Sequence, residues 1–95
     1  MQHVNFRNAD IIIKTLAKVI KEEREKQGKS QRLLADECSF QRSLLSRLEN
    51  GTNEPKLVSI WTIAEALRMK PSCLIGLVEK ELPKDFSLME EGICY

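Results

Sequence analysis

Apolar residues recur at intervals of three and four along most of this chain, the spacing that places side chains on one face of an α-helix. Residues that begin or end helices separate the apolar stretches, among them Gly28, Ser30, Gly51 and Pro71. The pattern predicts five helices, over residues 9–27, 31–38, 42–50, 57–68 and 71–82. Because Gly and Pro are scarce, we expect one compact all-α domain.

Each predicted helix has an apolar line that we expect to be buried in a common core. The main predicted core residues are Ile13, Leu16, Ile20, Leu34, Ala35, Leu45, Leu48, Leu57, Ile60, Ile63, Ala64, Leu67, Leu74, Ile75 and Val78. Polar, aperiodic residues 1–8 predict a loose N-terminal arm that ends at Asn8 as a helix cap. The domain is then expected over residues 9–82, followed by a C-terminal tail over residues 83–95.

The second and third predicted helices are short and are joined by a tight turn, an arrangement typical of a DNA-reading helix-turn-helix. A rotation of about 100° per residue places Leu45 and Leu48 on one side of the third helix. The opposite side has no acidic residue and consists of Arg42, Ser43, Ser46, Arg47 and Asn50, with Leu44 at its edge. Arginine can bind both guanine acceptors, serine adapts to any base, and a leucine can contact a thymine methyl.

This outer side has an alternative interpretation as a solvated helix surface, although such surfaces usually mix Lys and Glu. If it reads bases, phosphate contacts are expected beside it, from Gln31, Asn50, Thr52 and Lys56. On the inner side, Arg24 stands one turn beyond Ile20 and requires a carboxylate. Glu49 is turned partly inward and is the expected partner of Arg24.

Residues 30–75 resemble the phage-repressor and Cro-like helix-turn-helix family, also called the XRE family. The matching residues are Ser30, Gln31, Leu34, Ala35, Ser46–Gly51, Pro55, Leu57, Ile63, Ala64, Ala66, Leu67, Pro71 and Leu74. The resemblance implies a five-helix, lambda-repressor-like DNA-binding domain whose third helix lies in the major groove. It also implies base contacts by the residues at 42, 43 and 47, phosphate contacts by those at 31 and 50, and an ion pair between those at 24 and 49.

The chain departs from the family pattern at three positions outside the expected reading surface. Ser39 stands in the turn where glycine is usual, and Arg68 stands where glycine commonly ends the fourth helix. Gln41 precedes the third helix and is a poorer N-cap than Ser or Thr. These departures bear on stability and turn geometry more than on DNA contacts.

Composition excludes several other classes of protein. No run of apolar residues is long enough for a membrane span or a signal sequence, so we expect a cytoplasmic protein. Three separated cysteines and one histidine predict no metal site and no cofactor, with Cys38 and Cys73 buried and Cys94 exposed. No nucleophile–base pair or Gly-rich phosphate loop is present, so we do not expect an enzyme.

The preferred hypothesis is a sequence-specific transcription regulator, a repressor that binds a palindromic operator as a homodimer. Apolar residues beyond the needs of so small a core are the candidates for the dimer surface: Leu77, Leu82, Phe86, Leu88 and Met89. The tail could instead fold back over its own domain. A second hypothesis is an antitoxin or protein-interaction module of the same fold, whose tail binds a protein partner.

Overall fold

The computed structural model describes residues 6–89, and these residues form five α-helices. They are α1 (Phe6–Lys26), α2 (Gln31–Cys38), α3 (Arg42–Glu49), α4 (Leu57–Ala66) and α5 (Pro71–Glu81). The predicted all-α fold class is confirmed. Helices α2 to α5 begin at the predicted residues, and every helix ends at the predicted residue or one to two residues before it.

Helix α1 begins earlier than the sequence pattern predicts. It starts at Phe6, so the last three residues of the predicted arm are helical and the predicted start at residue 9 is wrong. Asn8 does not cap the helix, because it lies inside the first turn and its side-chain amide donates to the Ser87 carbonyl. The remainder of the predicted arm, residues 1–5, lies outside the described residues.

The core is formed by one side of every helix. Its buried apolar residues are Leu16, Ala17, Val19, Ile20, Leu34, Ala35, Cys38, Leu45, Leu48, Ile63, Ala64, Leu67, Leu74 and Val78. Three predicted core residues are instead exposed: Leu57, Cys73 and Ile75. Leu57 is the first residue of α4, and the other two flank Leu74, which occupies the inward side of α5. Cys94 lies outside the described residues.

Helix α3 packs against two other helices, α1 and α2, and its remaining surface faces outward. α1 packs against α3 and α5, α2 packs against α3 and α4, and α4 packs against α5. Gly51 follows α3 with φ +72°, and a Cβ there would lie 3.1 Å from Lys14 Cγ and 3.5 Å from Lys14 Cα. Glycine therefore satisfies both the backbone conformation and the close approach to α1. No helix within residues 6–89 is long and apolar enough to cross a bilayer.

The tail folds back against the domain through residue 89. Leu77 and Leu82 are half-buried and pack against the core. Phe86, Leu88 and Met89 are also half-buried, and Leu88 lines a groove together with Ile12 and Leu16 of α1. These five candidates for a dimer surface are therefore partly covered within one copy of the chain. Residues 90–95 lie outside the described residues.

Candidate nucleic-acid interface

The turn between α2 and α3 depends on unusual backbone geometry at Ser39. Its φ of 58° is left-handed, and the reversal lets Phe40 N donate to the Ala35 carbonyl at 2.8 Å. At the other end of α2, Ser30 Oγ accepts from Leu33 N at 3.0 Å, as expected of an N-cap. Gln41 precedes α3 without a side-chain cap bond. The turn is therefore formed, but with a strained residue and a weak cap.

Helix α3 separates its apolar and polar residues as the sequence predicts. Leu45 and Leu48 are buried, and Leu44 and Ser46 are half-buried at the boundary. The exposed residues of the helix and its C-cap are Arg42, Ser43, Arg47 and Asn50. We call the outer side formed by Arg42, Ser43, Ser46 and Arg47 the reading face. It presents two guanidinium groups and two hydroxyls and contains no carboxylate.

A buried ion pair fixes α3 to α1. Arg24 Nε and Nη2 donate to the two carboxylate oxygens of Glu49 at 2.7 and 2.9 Å, and both side chains are nearly inaccessible to solvent. Arg24 Nη1 donates to the Lys29 carbonyl at 2.6 Å. The hydrogen bonds with Glu49 raise the pKa of Arg24 against the opposing effect of burial. The guanidinium therefore stays charged, and the pair locks the orientation of α3 relative to the domain.

Gln31, the first residue of α2, takes part in the same network. Its side-chain amide donates to Glu49 Oε1 at 3.0 Å, and the residue is half-buried. The amide thus connects α2 to α3. It also lies at the N-terminus of α2, where a phosphate contact is predicted. One hydrogen of the NH2 group is used by Glu49, which leaves a second donor in the group.

The loop after α3 holds the remaining predicted phosphate contacts. Asn50 and Lys56 are exposed, the first as the C-cap of α3 and the second immediately before α4. Thr52 is exposed as well, but both its hydroxyl and its N–H donate to the Arg47 carbonyl at 3.1 Å. Thr52 therefore completes the end of α3, and its hydroxyl must exchange that bond to donate to a phosphate.

Asn53 is a member of the site that the sequence pattern does not identify. With its amide oriented so that the oxygen faces α3, Asn53 accepts from Arg47 Nε at 3.1 Å and donates to the Thr52 carbonyl at 3.0 Å. This contact holds the base of the Arg47 guanidinium and leaves its two terminal nitrogens for a ligand. Asn53 lies in an aperiodic loop, so no helical spacing points to it.

The helix-turn-helix family model HTH_3 matches residues 20–72, which include α2, α3 and α4. The chain belongs to this helix-turn-helix family. The resemblance to XRE-type proteins that the sequence pattern indicated is thereby confirmed. No curated protein sequence matches the chain.

Solved structures of helix-turn-helix proteins have the same fold. The restriction-modification controller protein C.AhdI from Aeromonas hydrophila is 32% identical, with a TM-score of 0.63 over 70% of this chain and 97% of that one. The controller protein C.Esp1396I, solved as a tetramer with its natural 35 base-pair operator, is 23% identical, with a TM-score of 0.69 over 74% and 92%. The clp gene regulator ClgR from Corynebacterium glutamicum is 19% identical, with a TM-score of 0.71 over 77% and 95%.

Other kinds of site find little support in the described part of the chain. Residues 6–89 contain no group of three His, Cys, Asp or Glu side chains placed to hold a metal ion. The Cys38 thiol is buried and lies 4.0 Å from the Thr62 carbonyl, and burial raises its pKa, as expected for an inert core thiol. The reading face and its supporting loop therefore form the main candidate site.

Proposed function

We propose that this helix-turn-helix protein is a sequence-specific transcription regulator that binds DNA as a homodimer and acts as a repressor. The main support is the reading face, because a helix held by a buried ion pair presents two exposed arginines, one exposed serine and one half-buried serine without a carboxylate beside them. Membership of the helix-turn-helix family supports the same function. The similar controller protein C.Esp1396I was solved with its operator, which agrees with this proposal.

In this mechanism α3 lies in the major groove with the reading face toward the bases. Arg42 and Arg47 each donate two hydrogen bonds to guanine O6 and N7, while Ser43 and Ser46 bond to either kind of base. Leu44, at the edge of the face, contacts a thymine methyl. Backbone phosphates are bound around α3 by Gln31, Asn50, Thr52 and Lys56, which set the register of the helix without reading sequence.

A second copy is required because one domain supplies too little affinity. α3 has eight residues and contacts only a few base pairs, and the formal net charge of +1 gives weak non-specific attraction to phosphates. Two copies on half-sites about one helical turn apart (~34 Å) add their base contacts together. We therefore expect the operator to be an inverted repeat.

The proposal is tested by selecting binding sites from random DNA and measuring affinities of two single variants. Arg42→Ala and Arg47→Ala should each weaken binding by about 1–3 kcal/mol, chiefly at one base pair of the half-site. Lys80→Ala is the matched control, since it also removes one exposed positive charge but lies on α5, which packs against α1 and α4. If either arginine variant keeps wild-type affinity and preference, that arginine does not read a base.

Repression is a separate part of the proposal. A reporter gene whose promoter overlaps the selected site should be transcribed less when the protein is expressed. Increased transcription would contradict the repressor role but not the assignment of the reading face.

The second candidate, an antitoxin or protein-interaction module, is favoured by the apolar residues of the tail. Phe86, Leu88 and Met89 retain partial exposure and could contact a protein partner. Co-purification from the native host separates the two functions. A stoichiometric partner that contacts the tail would favour the module, although such a partner is compatible with DNA binding.

A further inference from the structure

Helix α4 has large apolar residues on its outer side, beside one exposed carboxylate at Glu65, as well as on the side that faces the core. Ile63 and Ala64 are buried, whereas Leu57, Val58 and Trp61 are exposed by 69%, 75% and 51%. We call these three exposed residues the α4 apolar face; their spacing of one and three residues places them on one stripe. Glu65 is the only charged residue between Leu57 and Ala66. A surface helix normally carries polar residues on the side away from the core, so large apolar residues at three exposed positions of α4 are unusual.

This face differs from the other exposed apolar residues of the described chain. The others, Phe6, Ile11, Leu33 and Ile75, are distributed over α1, α2 and α5, with at most two on any helix. Isolated apolar residues are ordinary on protein surfaces, but a contiguous apolar stripe marks a contact with another molecule. Only α4 has three within five residues.

We propose that the α4 apolar face is the surface through which two copies of this chain associate, an inference that rests on the proposed dimeric function. A two-fold axis places the same patch against itself, so any charge in the patch would meet its like. The three residues have none, but the exposed Glu65 lies on the same side of α4, one turn beyond Trp61. The axis is therefore placed at Leu57 and Val58, which keeps the two Glu65 carboxylates apart. The Trp61 indole N–H already donates to Glu65 Oε2 at 3.1 Å within the same helix, so its ring can be buried without losing a hydrogen bond.

The position of α4 directly after the reading helix indicates that the partner of the α4 apolar face is a second copy of this chain and not an unrelated protein. α4 follows α3 after the short loop of residues 50–56, so an axis at its N-terminal half holds two reading faces close together. Apolar side chains have no partner on a phosphate backbone, so DNA itself does not cover the face. The three side chains supply on the order of half the ~800 Å² that each partner buries in a standard interface, and flanking residues add the rest.

The test compares two matched variants of the full chain without DNA. Val58→Glu and Phe6→Glu both place a carboxylate at a highly exposed apolar position in the first turn of a helix, where negative charge favours helix formation. Sedimentation equilibrium from micromolar to millimolar protein should detect a wild-type dimer. Val58→Glu should weaken dimerisation by about thirty-fold or more, as expected for a central interface residue. Phe6→Glu should leave it unchanged.

Trp61 supplies a second measurement that reports on the face itself, because it is the only tryptophan in the chain. Its fluorescence emission should shift to shorter wavelength as wild-type protein is concentrated, and Val58→Glu should abolish that shift. Val58→Lys should weaken dimerisation as much as Val58→Glu, because in either variant two identical charges face each other across the two-fold axis of the dimer and repel. Circular dichroism spectra of Val58→Glu and Val58→Lys that match the helical spectrum of the wild type would establish that the two variants are folded.

Binding to a single half-site separates this inference from the proposed function. Val58→Lys should bind a duplex with one half-site at least as tightly as wild type, while losing affinity for the full inverted repeat. A wild-type monomer at every concentration, or a Val58→Glu variant that dimerises normally, would overturn the α4 assignment and leave base reading by α3 intact. Loss of half-site binding in Arg47→Ala, with dimerisation unchanged, is the outcome expected if both proposals are correct.

Discussion

Ser39 and Arg68 both adopt the left-handed backbone conformation that glycine occupies at little cost. Their φ angles are 58° and 61°, and both residues follow the end of a helix. At Arg68 the reversal lets Met69 N donate to the Ala64 carbonyl at 3.0 Å, which completes the end of α4. The helix ends therefore require this geometry even though neither residue favours it.

Replacement of either residue by glycine should stabilise the protein. The left-handed conformation costs a non-glycine residue about 1–2 kcal/mol, and the greater freedom of glycine in the unfolded chain offsets part of the gain. We expect Ser39→Gly and Arg68→Gly each to raise the free energy of unfolding by about 0.5–1 kcal/mol, measured by urea denaturation. Ser72→Gly, in the right-handed helix α5, is the control and should lower it. Equal effects at all three positions would contradict this interpretation.

At the scale of the helices, the Arg24–Glu49 pair determines how α3 is presented to a ligand. The two residues are 25 positions apart in sequence, and their bonds join α1 to α3 while Gln31 adds α2. The hydrogen bonds to Glu49 raise the pKa of Arg24 above its already high ordinary value, so the guanidinium is charged at neutral and mildly alkaline pH. The stability that Arg24 gains from this shift should therefore not be lost as the pH is raised from neutral to mildly alkaline values.

Removal of one partner of this pair should be much more damaging than removal of both. Arg24→Met leaves the Glu49 carboxylate buried without its cation, and we expect a loss of about 3–5 kcal/mol in the free energy of unfolding. The double variant Arg24→Met/Glu49→Leu removes both charges and should recover a large part of that loss. Chemical denaturation of the three proteins measures the difference. A double variant less stable than Arg24→Met would contradict the account.

The sequence predicts the helices and the side of most helices that faces the core. This is possible because the spacing of apolar residues along a helix depends only on residues that are close in the sequence. Leu16, Ile20, Leu45, Leu48 and Ile63 are all buried as that spacing requires. The errors arise where a neighbouring helix determines burial. Helical spacing shows which side of α4 Leu57 lies on, and that is the side that faces the core. It does not show whether a neighbouring helix reaches as far as the first residue of α4, so the spacing predicts a buried Leu57 although the residue is exposed.

Contacts between distant residues or within loops are also beyond the reach of sequence patterns. The early start of α1 accompanies the bond from Asn8 to Ser87, which joins positions 79 residues apart. Asn53 lies in a loop without periodicity, so its contact with Arg47 had no signal in the sequence. In contrast, the composition of the reading face was predictable, since one turn of a helix defines which residues share its outer side.

For the molecule as a whole, the placement of charge and apolar surface matters more than their totals. The formal net charge is only +1, yet the reading face has two arginines and no acid, while exposed Glu79, Glu81 and Asp85 lie beyond it on α5 and the tail. The apolar surface is similarly divided: the tail candidates are half-buried, and the α4 apolar face is open. We infer that DNA contact and self-association use different helices of one small domain.

The central claim, that arginines of α3 read guanines in the major groove, is tested most directly by changing one acceptor atom in the DNA. Replacing each guanine of the selected half-site by 7-deazaguanine removes the N7 acceptor and leaves base pairing intact. For the guanine read by Arg47, wild-type binding should weaken by about 1–3 kcal/mol, whereas the Arg47→Ala variant should be insensitive to the same replacement. Wild-type affinity that is unchanged by replacement at every guanine would contradict the claim.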